Sequence, residues 1–144
     1  MRGGGPPLPN VGEARQTRGM AVLFVHTDRL EIRLTRTEKL LSFRRTDIVI
    51  PLDDIKSAVL TDDPWIWVRG IRAPGSAIPL TLAIGTWKHH DGKDFLIVKR
   101  TRSAVVIDLE RQEYSRLIVT TSHAVELLRA LRLPPEEGTE RIDV

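Results

Sequence analysis

The 144-residue chain contains no cysteine, which removes disulfides and thiolate zinc sites from consideration and fits a reducing cytoplasm. It lacks any apolar run near the roughly 20 residues that cross a membrane. Its longest runs, "MAVLFV" and "PLTLAIG", are strand-sized. The opening "MRGGGPPLPNVGEARQTRG" has no apolar centre of a secretory signal, and residues 1–18 read as a flexible Gly/Pro-rich tail. No internal repeat is visible. No "GxSxG" surrounds a serine, and "RGGG" at residues 2–5 precedes no strand–helix unit that would make it a phosphate loop. These absences leave a single soluble domain, cytoplasmic or peripheral at the inner face of a membrane, with no cofactor implied.

What is present begins with charge. The formal net charge is +3 and the isoelectric point about 9.7, which invites an anionic partner. The charge is unevenly placed, however. Residues 1–18 hold three arginines against one glutamate, and residues 135–144 hold one arginine against four acids. The body between keeps a mild basic excess, which permits attraction to an anionic surface without demanding it.

The body reads as strands. "RLEIRLTR" alternates cleanly, with Leu30, Ile32 and Leu34 on one face and Arg29, Glu31, Arg33 and Thr35 on the other. That period marks an antiparallel strand with one wet face. With "MAVLFVH" (20–26) before it and the turn His26-Thr27-Asp28-Arg29, it predicts a first hairpin. "TEKLLSF" (37–43) is a helical turn or a connector. "TDIVIP" (46–51) and "IKSAVLT" (55–61) are further strands, the second weaker. "DDPWIWVRGIRAPGSAIP" (62–79) is a long Pro/Gly-punctuated connection of the kind that is functional or mobile. Strands return over 80–87, 94–100, 103–110 and 115–121, spaced as a continuous meander. One helix closes the body. Ser122 is placed as its N-cap, Ala124, Leu127, Leu128 and Leu131 share a face, Arg129 and Arg132 suit the negative end of the dipole, and Pro134-Pro135 stop it.

Seven or eight antiparallel strands followed by one amphipathic helix resemble a pleckstrin-homology-like (PH-like) split barrel, a mainly β, α+β architecture. "DRLEIRLTRTEKLLSF" followed by "IVIPLDDIKSAVLTDD" is similar to the opening half of bacterial PH-like domains, with Pro51, Leu52 and Ile55 at their Pro-Leu-x-x-Ile segment. "IGTWKHHDGKDFLIVKRTRSAVVIDLE" resembles the second sheet of that group, particularly in small actinobacterial proteins. The resemblance covers 20–132 and implies a domain over 19–133, followed by an acidic flexible tail over 134–144. It also implies a scaffold for binding lipids, peptides or proteins. Phosphoinositide-binding members concentrate basic residues at the first hairpin turn, whereas "HTDR" here holds one arginine and an aspartate.

The most chemical-looking passage is "GTWKHHDGKDF" (85–95). Asp91-Gly92 between apolar strands predicts a two-residue type I′ turn, pairing His89 with Asp94 and Trp87 with Leu96. Consecutive strand residues point to opposite faces, so one metal cannot take both His89 and His90. A structural hairpin tip outweighs a catalytic or metal role, and no metal ligand is assigned. The doublets Asp53-Asp54 and Asp62-Asp63 read as solvated strand ends.

The 62–79 connection is the preferred binding segment. In an extended chain Trp65, Trp67 and Arg69 share a side, and tryptophan beside arginine suits a contact edge. Alternatively, one ring closes the barrel end. Lys99, Arg100 and Arg102, near Arg69 and Arg72, would add an anion-attracting turn. Phe95 is the only aromatic in that turn's segment, too few for base stacking. The expectation is therefore a non-enzymatic binding or adaptor module. Its partner would be a protein or an anionic lipid surface, with self-association through sheet edges a further route. A nucleic-acid-binding accessory protein is the alternative. A small metal-dependent hydrolase using His89, Asp91 and Asp94 ranks last.

Overall fold

The computed structural model describes residues 21–42, 44, 46–78 and 81–144; the tail expected over 1–18 lies outside them. In chain order the elements are β1 (Val22–Val25), β2 (Arg29–Arg33), α1 (Arg36–Ser42), β3 (Ile48–Pro51), β4 (Ile55–Thr61), β5 (Ile71–Ile78) and β6 (Leu82–His89). β7 (Gly92–Lys99), β8 (Ala104–Leu109), β9 (Arg116–Thr120), α2 (Ala124–Arg132) and β10 (Glu140–Asp143) follow, with 3-10 turns at Leu52–Asp54 and Pro64–Trp67. They form a four-stranded sheet, β10-β1-β2-β3, and a six-stranded sheet, β4-β8-β9-β7-β6-β5. The described part is mainly β, and no helix in it is long and apolar enough to cross a membrane.

Burial follows from alternation. In the smaller sheet Leu23, Val25, Leu30 and Ile32 turn inward, while Glu31 and Arg33 stay on the outer face. The central strands of the larger sheet read as unbroken apolar runs because both faces are covered. Phe95, Ile97, Val105, Ile107, Leu117 and Val119 enter the main core, shared with the small sheet and with Ala124 and Leu127 of α2. Alternating with them, Leu96, Val98, Val106 and Ile118 point the other way, beneath Trp65, Trp67 and Val68. Each fully buried aliphatic side chain is worth about 1.5–3 kcal/mol over its exposed state, so both layers contribute to stability.

Caps fix the helices. Glu38 Oε1 accepts from the Thr35 amide at 2.9 Å while Thr35 Oγ1 accepts from the Glu38 amide at 3.2 Å, a reciprocal capping box. For α2 the N-cap position is His123, not the expected Ser122, and it carries no side-chain cap bond. In the turn before it Thr121 Oγ1 accepts from the His123 amide at 3.0 Å and donates to the Asp143 carbonyl at 2.6 Å, tying the approach to the helix to β10.

Four expectations change. Ten strands and two α-helices are described, against seven or eight strands and one helix. The residues 134–144 expected as a flexible tail contain β10, paired with β1; Ile142 and Val144 are 3% and 1% exposed, and the outward Asp143 between them, with the acids before Ile142, masked this alternation. The 62–79 connection contains β5, an edge strand whose register shifts between Arg72 and Gly75. At an edge Pro74 can lack an amide without breaking the sheet. Finally, the meander is interrupted: β9 lies between β7 and β8 and runs parallel to β7. The expected all-antiparallel order is thus replaced by a mixed sheet, a choice of partner that no local pattern records.

Candidate functional site

The hairpin of "GTWKHHDGKDF" pairs His89 with Gly92, Lys88 with Lys93 and Trp87 with Asp94. The turn centre is therefore His90-Asp91, not Asp91-Gly92. A type I′ turn needs positive φ at both central residues, and the described non-glycine residues with positive φ are Arg100 and Arg111. Gly92 serves a different need. Its φ is +150°, and a Cβ there would meet Ser115 Oγ at 2.6 Å, so glycine permits the hairpin to approach the start of β9.

His89 and Asp94 lie on one face of the sheet and meet diagonally. His89 Nδ1 accepts from the Asp91 amide at 3.2 Å, which leaves the ring proton on Nε2, donated to Asp94 Oδ1 at 2.9 Å. Asp94 is fully buried, and Arg69 grips it with two bonds, Nε to Oδ2 at 2.7 Å and Nη2 to Oδ1 at 3.1 Å. This bidentate pairing raises the Arg69 pKa, with its hydrogen bond to Asp94 the largest cause. A buried carboxylate needs such partners to be tolerated. The next strand continues the row: Arg116, opposite Asp94, donates to Asp108 Oδ1 at 2.6 Å and lies 5.4 Å from the centre of the Trp67 ring. These groups bind one another. Trp67 Nε1 is the one buried side-chain polar atom without a partner among the described residues.

The 62–70 stretch is thus a clasp over the outer face of the large sheet. Trp65 packs there as well and donates from Nε1 to the Arg100 carbonyl at 3.0 Å, holding a turn where Arg100 has φ of 61°. Ile66, between the two tryptophans, is 73% exposed. The expected cationic patch is not assembled. Lys99 donates to Glu38 Oε2 at 2.9 Å, and Glu38 is 1% exposed. By strand parity Lys99 projects from the opposite face to Asp94, and about 16 Å separates the two positions along β7. Arg72 and Arg100 are exposed and Arg102 half-buried. His89, Asp91 and Asp94 form no metal cage; no group of three or more His, Asp or Glu among the described residues is placed to hold an ion.

A second surface was not anticipated. β4 is an edge of the large sheet, and α2 runs beside it. A hollow of about 370 Å³ lies between them, lined by Ile55–Val59, Leu131 and Arg132, and a second of about 270 Å³ on the face of α2 itself shares Arg132 with it. Leu128, Leu131 and Leu133 with Val125 give an apolar lining, of which Val125 is 51% and Leu133 76% exposed. Lys56, Arg129 and Arg132 border it, and no carboxylate among the described residues lies within ion-pair distance of them. Arg132 Nη2 reaches the Ala58 carbonyl at 3.5 Å from the side away from β8. By strand alternation, the amide and carbonyl groups of Ala58 and Leu60 face the open edge. The sequence signal for this surface was a helix with more apolar positions than one buried stripe requires.

Comparison of the chain with protein-family models, curated proteins and solved structures found no match.

Proposed function

We propose that this chain is a non-enzymatic binding module whose partner, a protein, lies along the groove between β4 and α2. The observation that carries this reading is the composition of the groove. Three cations not paired with carboxylates border an apolar floor beside an open strand edge. Exposed apolar surface rimmed by polar groups is the usual mark of an interaction site. A PH-like scaffold is part of the proposal, supported by two packed sheets and a helix near the C-terminus. The parallel β7–β9 pair and β10 are departures from the expected plan.

The surface preferred from sequence, 62–79 with the basic turn, has less support as a site for a protein or an anionic membrane. Arg69 and Lys99 are committed to Asp94 and Glu38, and both tryptophans pack on the sheet. Site-specific photo-crosslinking in the native cell separates the surfaces. A photoreactive residue at Val125 should capture a discrete protein partner, and Leu128→Ser/Leu133→Ser should abolish that capture without lowering the unfolding midpoint by more than a few degrees. Capture only from Ile66 or Arg72 would move the site to the 62–79 segment and end the groove reading.

A further inference from the structure

Resting on that reading, we infer that the groove takes an acidic, extended segment of the partner, which adds to the edge of β4 as a further strand. Three features point to one occupant. The first is backbone: Ala58 and Leu60 direct amide and carbonyl groups away from β8, the Ala58 carbonyl meeting the long 3.5 Å bond from Arg132, and an edge of this kind is satisfied by another chain in extended conformation. The second is shape. On the α2 side the strand is bordered by Leu131, with Leu128 and Leu133 in the adjoining hollow on α2, so alternate residues of the added segment would meet apolar surface.

The third is charge. Lys56, Arg129 and Arg132 stand around the groove, while Glu136 and Glu137, just beyond α2, make no ion pair with them. A second copy of this chain would bring like charges together at the same edge, which disfavours a β4-to-β4 dimer. A carboxylate-bearing segment matches them and would replace the long Arg132–Ala58 contact with better-formed ladder bonds. Charged side chains also serve to protect sheet edges from unwanted pairing. Under that rival account the edge accepts no strand at all.

The test uses the full chain and an N-acetylated heptapeptide of alternating glutamate and valine, with its lysine–valine counterpart. Amide shifts should localise the glutamate peptide to Ala58, Leu60 and α2, with affinity falling as salt rises. Lys56→Glu/Arg132→Glu should weaken it at least about tenfold and favour the lysine peptide. Two glutamate peptides N-methylated on alternate residues give the decisive contrast. A strand has one bonding edge toward β4, so one methylated form should lose binding and the other keep it. Equal binding of both methylated forms, no preference for glutamate, or no binding at about millimolar peptide overturns the inference. None of these results bears on whether crosslinking at Val125 captures a protein partner, so the two readings fail separately.

Discussion

Replacing Arg69 by leucine tests whether the clasp over the large sheet is held by the buried carboxylate. Asp94 has no exposed surface, and among the described residues its side chain accepts from Arg69 and His89. Breaking a fully buried ion pair from one side costs about 3–5 kcal/mol, because the remaining charge stays buried. Here Arg69 is 37% exposed and His89 remains as a donor. Solvent screening and that donor reduce the expected loss to about 2–3 kcal/mol. With a urea m-value of about 2 kcal/mol/M for a domain of this size, the midpoint should fall by about 1–1.5 M.

The double variant Arg69→Leu/Asp94→Leu sharpens the test. Removing both charges leaves an apolar contact and one unpaired His89 donor, so about half of the single-variant loss should return. Urea titration followed by tryptophan fluorescence is well suited, since Trp65, Trp67 and Trp87 all lie in the affected layer. A midpoint shift below about 0.3 M in the single variant, or strict additivity in the double, would refute the account of Arg69 as the clasp.

Lys99→Ala should cost about 2–4 kcal/mol by stranding buried Glu38, whereas Glu38→Gln, which keeps an acceptor for the Thr35 amide, should cost less; equal thermal shifts would contradict this. Ending the chain at Thr139 removes Ile142 and Val144 from the core, about 1.5–3 kcal/mol each, and should lower the melting temperature by many degrees. A truncated protein with an unchanged melting temperature would show that β10 only rests on β1. Glu31 has its pKa lowered, first by the hydrogen bond from Arg33 and then by that from His26. The unfolded chain therefore takes up this proton at higher pH than the folded one, and the stabilisation is present above the ordinary carboxylate range and is lost as pH falls through the lowered folded value. The gap in urea midpoint between the native chain and Glu31→Gln should close on acidification, and a gap constant from neutral to acid pH would contradict the pairing.

Legibility from sequence divided along physical lines. "RLEIRL" announced β2 because one face of it is wet, and alternation survives in the text when burial is one-sided. β5 was missed because Pro74 and Gly75 interrupt its pattern, which only an edge position with a shifted register tolerates. β10 was missed because its one inward residue, Ile142, and Val144 just after it sit among acids that suit a solvated tail. The parallel pairing of β7 with β9 has no local signature at all. Both strands are apolar on both faces, and such runs do not say which neighbour they take.

The site was harder to read because sequence counts cations without saying which are already committed. Arg69, Lys99 and Arg116 look as available as Lys56 or Arg129 until Asp94, Glu38 and Asp108 are placed against them. The passage "GTWKHHDGKDF" illustrates the same point. His89 and Asp94 do converge, but on one another and on Arg69, with Asp91 contributing only its backbone amide, so a passage of catalytic composition becomes a structural anchor. Once these committed charges are set aside, Lys56, Arg129 and Arg132 are cations without a carboxylate partner among the described residues, and they border the β4–α2 groove and the hollow beside it. That shift follows from a general asymmetry. A charge paired in the interior is held by the energetic cost of leaving its partner alone, whereas an unpaired charge at an apolar rim can meet a ligand without first breaking anything.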